Sequence, residues 1–158
     1  MITPEEAKAR WRGVVIPVVT PFKENGDLDL PALRRNVQWL LDRGAAHGNS
    51  IFLAVGSGGD YTVMNTEERI AAITAIAETV GDAAPVIAGA QSTDIRDCIA
   101  IAKHCAALGI DAIQISGPYY YDARPDDFVA WMEEIARHAK VGFALYNHYY
   151  SGAKYDVP

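Results

Sequence analysis

Residues 85–115 read PVIAGAQSTDIRDCIAIAKHCAALGIDAIQI, and this stretch decides the fold class. Pro85-Val86-Ile87-Ala88-Gly89 is a short, continuous apolar run stopped by glycine, the pattern of a buried strand. Ser92, Thr93 or Asp94 then caps a helix with Ile95, Ile99, Ala102 and Ala106 on its apolar face, joined by Cys98 and Cys105, and Gly109 ends it. Ala112-Ile113-Gln114-Ile115 is the next strand. Strand, helix and strand in this order form a βαβ unit, whose two strands run parallel with the helix crossing over one face.

The alternation extends in both directions. Towards the amino end, Ile51-Phe52-Leu53-Ala54-Val55 is a strand running into Gly56-Ser57-Gly58-Gly59-Asp60. Asn65 and Glu68 have the spacing of a capping box, and the helix they open carries Ile70, Ile73, Ala77 and Val80 before stopping at Gly81. Val14-Val15-Ile16-Pro17-Val18-Val19 is an earlier strand with a turn at Thr20-Pro21, followed by a helix from Pro31 to Gly44 bearing Leu33, Val37, Leu40 and Leu41. Towards the carboxyl end, Pro125 opens a helix with Phe128, Met132, Ile135 and Ala139 inward, and Val141 to Tyr146 is a fifth strand. Residues 1–12 read as an amino-terminal helical extension of a single domain spanning 1–158.

Continuous apolar strands predict a parallel sheet covered on both faces. Units of about 30 residues fit either a five-stranded doubly wound sheet or the opening of a (β/α)8 barrel, which needs roughly 250 residues. Only twelve residues follow Tyr146, too few for the helix that closes a doubly wound sheet. The expectation is therefore an α/β chain holding the first five strands and four crossover helices of a TIM barrel. A complete flavodoxin-like binding module is the alternative.

Composition excludes several classes. Of 158 residues, 50% are hydrophobic and 22% charged, which is too apolar for disorder. A net charge of −6 without a basic cluster argues against nucleic acid, and no apolar run reaches the roughly 18 residues of a membrane span. The opening residues lack a secretory pattern, so the expected compartment is cytoplasmic. Cys98 and Cys105 lie about 10 Å apart along one helix, beyond the roughly 7 Å that a disulfide tolerates. No His or Cys spacing suits zinc, so no metal and no cofactor is expected.

Ligands of parallel α/β folds gather at the carboxyl ends of the strands. There the Gly56–Gly59 loop can turn amides and the Ser57 hydroxyl towards an anion, or can serve as a tight turn alone. Tyr146 can relay a proton with a hydroxyl partner such as Ser57, or can be a packed aromatic. His148 reads as an acid or base, or as a solvated loop residue.

These strand ends together resemble the dihydrodipicolinate synthase and N-acetylneuraminate lyase family, class I aldolases built on a (β/α)8 barrel. The opening strand with Thr20-Pro21-Phe22, the Gly56–Asp60 loop, Pro85–Gly89, Gly117-Pro118-Tyr119-Tyr120 and Leu145-Tyr146-Asn147 match the family's motifs in order and spacing. The likeness runs from about Gly13 to Gly152 but covers only the first half or so of a family member.

The resemblance implies a Schiff base between a sixth-strand lysine and pyruvate or another 2-keto acid, reacting with an aldehyde or sugar-acid partner. It implies that Tyr146 shuttles the proton, that Ser57 hydrogen-bonds to it, and that Tyr120 completes the relay across a dimer interface. The loop at Gly58 and Gly59 would hold the carboxylate, with His148 on the substrate. It also implies a homo-oligomer, a tetramer built as a dimer of dimers.

Three departures accompany the match. Gly58 replaces a hydroxyl residue. His148-Tyr149-Tyr150 stands where dihydrodipicolinate synthases carry an arginine for a dicarboxylic substrate, which points to a less charged or larger aldehyde, or to a sugar acid. No lysine matches the imine-forming position: Lys8, Lys23, Lys103 and Lys140 are expected on helices or at strand beginnings, and Lys154 lies elsewhere in the loop. The expectation is a lyase that is inactive as this chain alone, with a non-catalytic keto-acid-binding half-barrel as the alternative.

Overall fold

The computed structural model describes residues 2–120 and 123–147. Five strands, β1 (Val14–Pro17), β2 (Ser50–Ala54), β3 (Val86–Gly89), β4 (Ala112–Ile115) and β5 (Gly142–Leu145), alternate with helices α2 (Leu30–Asp42), α3 (Thr66–Val80), α4 (Ile95–Ala107) and α5 (Pro125–His138). A short helix α1 (Pro4–Arg10) precedes β1.

Every pairing is parallel and the spatial order is β1-β2-β3-β4-β5. A doubly wound sheet reverses its strand order at a switch point. This sheet has no reversal, so the flavodoxin-like alternative is set aside in favour of a barrel arc. Helices α2 to α5 pack on one face of the sheet, as sequential crossovers of one hand require, leaving the other for the barrel interior.

The local signals have clear causes. Asn65 accepts from the Glu68 amide at 2.9 Å while the Glu68 carboxylate accepts from the Asn65 amide, completing the box that opens α3. Asp94, one of the three cap candidates, caps α4 by accepting from the Arg96 amide. Gly109 turns the chain out of α4 at φ 75°, where a side chain would be strained.

The main core lies between sheet and helices, where Phe52, Ile113 and Ile115 meet Leu33, Ile73, Ile76, Ile101 and Ile135. The helix faces are wider than the spacing predicted. In α3 the expected Ile73 and Val80 are buried, Ala72, Ala75 and Ile76 join them, and Ile70 and Ala77 sit half-covered; in α4 Ile101 is buried alongside the expected Ala102, Cys98 and Cys105. On the opposite face Ile51, Leu53, Ile87 and Ala112 form a second cluster with Ile2, Ala7 and Trp11. The amino-terminal segment thus covers the amino-end half of the inner sheet surface, with Arg10 paired to Asp111 at 3.3 Å.

Two expectations need correction. Coverage on both faces holds for β2 and β3 but not for the edges: Val14 is 65% exposed, Val15 47% and Leu145 46%. Among the described residues the edge strands have no neighbour on their outer sides, and proline at position 17 is compatible with such an edge. Lys23 also lies neither on a helix nor at a strand beginning. It sits in the turn after β1, where its amide donates to the Asp27 carbonyl at 2.8 Å.

Candidate active site

At the carboxyl end of the sheet, the inner face opens into a cavity of about 360 Å³. Ser57 and Gly58 border it from the loop after β2, Gln114 from β4 and Tyr146 from just beyond β5, over Val15, Pro17 and Leu53. Strand alternation places these residues. Gly142, Ala144 and Tyr146 fall on one face of β5, and Gln114 stands opposite Ala144 in the neighbouring strand. The Tyr146 amide donates to the Ile115 carbonyl at 2.8 Å, extending the ladder one residue and fixing where the tyrosine emerges.

The loop after β2 is tightly built. Ser57–Gly59 is one turn of 3-10 helix, in which the Gly59 amide donates to the Gly56 carbonyl and the Asp60 amide to the Ser57 carbonyl. Those bonds occupy the later amides. The amides of Ser57 and Gly58, which open the turn, have no backbone acceptor among the described residues.

Thr20 fastens this turn from the adjacent connection: its buried hydroxyl donates to the Gly59 carbonyl at 2.7 Å. A side chain at Gly59 would press its Cβ to 2.8 Å from the Val18 carbonyl oxygen, so glycine is required for the approach. Gly59 is buried as structural support, whereas Ser57 and Gly58 are exposed at the cavity. Asp60 adopts φ 55° between two 3-10 turns, a backbone junction that aspartate tolerates.

The other expected site residues lie elsewhere. Tyr120 is 78% exposed and outside this cavity. His148 falls outside the described residues, as do Tyr149, Tyr150 and Lys154. No lysine among the described residues borders the cavity.

Gln114, Arg69 and Tyr61 were not singled out by sequence reasoning, whereas Gln91 follows β3 at one of the strand ends where ligands are expected to gather. Gln114 is a lone amide inside an apolar strand, which is the signal that marks it. Gln91, only 1% exposed, donates from Nε2 to Gln114 Oε1 at 2.9 Å. Arg69, embedded in an apolar helix sequence, is buried with no carboxylate partner among the described residues, and burial lowers its pKa. It donates to the Gly89 carbonyl at 3.2 Å and faces the Tyr61 ring, with its guanidinium carbon 5.3 Å from the ring centroid. Tyr61 meets Tyr119 edge-on at 6.5 Å; burial first, then the Tyr119 hydroxyl, pushes the Tyr61 hydroxyl up to about 12. Arg69 and this aromatic pair back the strand ends from behind the cavity.

Comparison with known proteins agrees with this geometry. The model of the dihydrodipicolinate synthetase family matches residues 10–155. YjhH of Escherichia coli K12, described as a probable 2-dehydro-3-deoxy-D-pentonate aldolase, is 30% identical over 138 residues, covering 87% of this chain and 44% of that protein. The 4-hydroxy-tetrahydrodipicolinate synthase of Moorella thermoacetica is 30% identical, with 87% and 46% covered.

Among solved structures, YagE of Escherichia coli K12 in complex with pyruvate superposes with a TM-score of 0.79 at 28% identity, covering 87% of this chain and 45% of that one. The pyruvate complex of dihydrodipicolinate synthase from Acinetobacter baumannii gives 0.78 at 27% identity, with 87% and 46% covered. The chain therefore spans about 45% of the length of the curated relatives it matches. With the family model matched from residue 10 to residue 155 and five strands in the order of these barrels, the chain belongs to the dihydrodipicolinate synthetase family.

Proposed function

We propose that this chain provides the keto-acid half of a Schiff-base-forming lyase, an aldolase or dehydratase acting on pyruvate or another 2-keto acid with an aldehyde or sugar-acid partner. The convergence of Ser57, Gly58 and Tyr146 on one cavity at the strand carboxyl ends carries this reading. The two unpaired amides of the 3-10 turn suit a carboxylate, because N–H donors fixed by the turn need no reorganisation to receive it. Gly58 contributes an amide but no hydroxyl. Tyr146, across the cavity from the loop, is placed to move a proton at the carbon beside the keto group, with the Ser57 hydroxyl as the next member of the relay.

No lysine among the described residues borders the cavity, and Lys154 does not match the family position, so the imine-forming lysine comes from a sixth strand adjoining β5 or from a partner chain, and residues 1–158 alone are inactive. Tyr120, exposed as it is, serves a neighbouring subunit of a homotetramer. His148 contacts the aldehyde or sugar-acid partner rather than the keto acid.

Borohydride reduction of the whole gene product in the presence of pyruvate tests the proposal. The expected result is a covalent pyruvate adduct on one lysine, with none on residues 1–158 expressed alone. Binding of pyruvate without any adduct would favour the non-catalytic alternative, for which Gly58 and the lysine-free cavity speak.

A further inference from the structure

The five strands contain only two polar side chains, Ser50 and Gln114. Ser50 is at the start of β2 and donates to its neighbour Asn49 at 2.7 Å. Gln114 lies at the other end of the sheet, on the inner face, between Gly89 of β3 and Ala144 of β5. Small flanking residues leave its amide room. The Gln91 amide, almost fully buried in the bend after β3, donates to Gln114 Oε1 and fixes the position of that side chain. A bulkier residue at position 89 is excluded, since a Cβ there would lie 2.2 Å from the Val55 carbonyl oxygen and 2.8 Å from Gln91 Oε1.

This anchoring leaves Gln114 Nε2 at the cavity with no acceptor among the described residues. Gln114 is only half-buried, so its remaining amide group is open to whatever occupies the cavity. The carboxylate and proton-transfer positions of a keto acid are already provided for by the Ser57–Gly58 amides and Tyr146. Gln114 is a third polar point on the same cavity. No Lys, Arg or His among the described residues borders the cavity, which disfavours a second carboxylate. A hydroxyl suits the amide in either orientation of the Gln91–Gln114 pair, because it both donates and accepts.

We propose that Gln114 is a specificity-determining residue that hydrogen-bonds a hydroxyl on the carbon chain of the bound acid, so that the site selects a hydroxylated 2-keto acid over its deoxy analogue. The inference rests on the keto-acid reading above and deepens it. A site built to hydrogen-bond a hydroxyl rejects the analogue that lacks it, since its own polar group is left unpaired.

The test uses the whole gene product with two acids that differ by one hydroxyl, 2-dehydro-3-deoxypentonate and 4-hydroxy-2-oxopentanoate. The wild-type protein is expected to favour the pentonate by at least about ten-fold in kcat/KM. Gln114→Met, which keeps the unbranched shape, is expected to bring that ratio down about ten-fold towards unity. Gln114→Asn, which retains an amide but withdraws it, is expected to lower the ratio in the same direction and covers the case in which the methionine variant fails to fold. An unchanged ratio in a folded variant overturns the proposal. So does a wild-type protein that forms the pyruvate adduct yet consumes neither acid. Failure of the wild-type protein either to form a pyruvate adduct or to bind pyruvate overturns the keto-acid reading itself.

Discussion

Tyr146 and Gly89 illustrate two kinds of constraint at the residue scale. Tyr146 is placed by one ladder hydrogen bond past the end of β5 and needs only its hydroxyl for the proposed proton transfer. Tyr146→Phe in the whole gene product is expected to slow pyruvate methyl-proton exchange in heavy water by about 10²- to 10⁴-fold, the usual worth of a positioned acid–base group. The borohydride adduct should persist, since imine formation itself does not require that hydroxyl. Exchange at the wild-type rate would remove Tyr146 from the mechanism. Gly89 is constrained by space rather than chemistry. The Cβ of an alanine would lie 2.2 Å from a backbone carbonyl oxygen, which cannot swing aside as a flexible side chain can. Gly89→Ala is therefore expected to cost about 1–3 kcal/mol, measured as a lowered urea midpoint at unchanged slope. Gly58 meets only the Pro17 side chain, at 3.1 Å, so a hydroxyl residue there needs a shift of a few tenths of an ångström at an exposed edge. Gly58→Ser should fold, and should lower the KM for pyruvate by adding the hydroxyl that the loop lacks.

At the scale of elements, strand limits and caps were legible because they rest on local chemistry: apolar runs, Asn65 with Glu68, Asp94, Gly109. The inward faces were less so. In α4 the expected Cys98, Ala102 and Cys105 are buried, but Ile101 is as deep while Ile95, Ile99 and Ala106 are half-covered, because the helix packs against neighbours on both sides, a tertiary fact that periodicity along one helix does not carry. The same applies to the site. Ser57 and Tyr146 could be found at strand ends, whereas Gln114 acquires meaning only beside Gly89, Ala144 and Gln91, which come from other segments. Burial of the two thiols has a measurable consequence. It pushes Cys98 up to about 11 and Cys105 up to about 12 from an ordinary 9.0. In the unfolded chain both thiols ionise as pH rises past 9, while in the folded chain they stay protonated, so the unfolded state loses protons first and stability falls. The loss begins near pH 9 and continues through the folded values, at up to about 1.4 kcal/mol per pH unit for each thiol. Urea midpoints measured from pH 8 to 10.5 are expected to decline, and the decline to flatten in a Cys98→Ala, Cys105→Ala double variant. An equal slope in both proteins would mean that the thiols are not the titrating groups.

For the whole molecule, the sheet has two contrasting surfaces. The helix-covered face holds a continuous core, and α1 with Ile2 and Trp11 covers the amino-end half of the inner face. The carboxyl-end half and both edges are open, with Val15 and Val19 of the β1 region 47% and 59% exposed and Leu145 46% exposed. In a closed barrel of this family, β1 and β5 each have a further neighbour; among the described residues they pair with nothing on their outer sides and carry exposed apolar side chains. Open strand edges with apolar side chains template pairing with other chains, and contiguous apolar patches drive association. Residues 1–158 expressed alone are therefore expected to associate as concentration rises through the micromolar range, seen as an increasing sedimentation coefficient. Val15→Lys puts a charge on the inner side of β1 without entering the helix-packed core, so it should suppress association while leaving the far-ultraviolet circular dichroism intact. A chain that sediments as one monomeric species at all concentrations would show that the open inner face and edges are stable in water, and would favour the half-barrel as a self-sufficient keto-acid binder over the portion of a closed lyase.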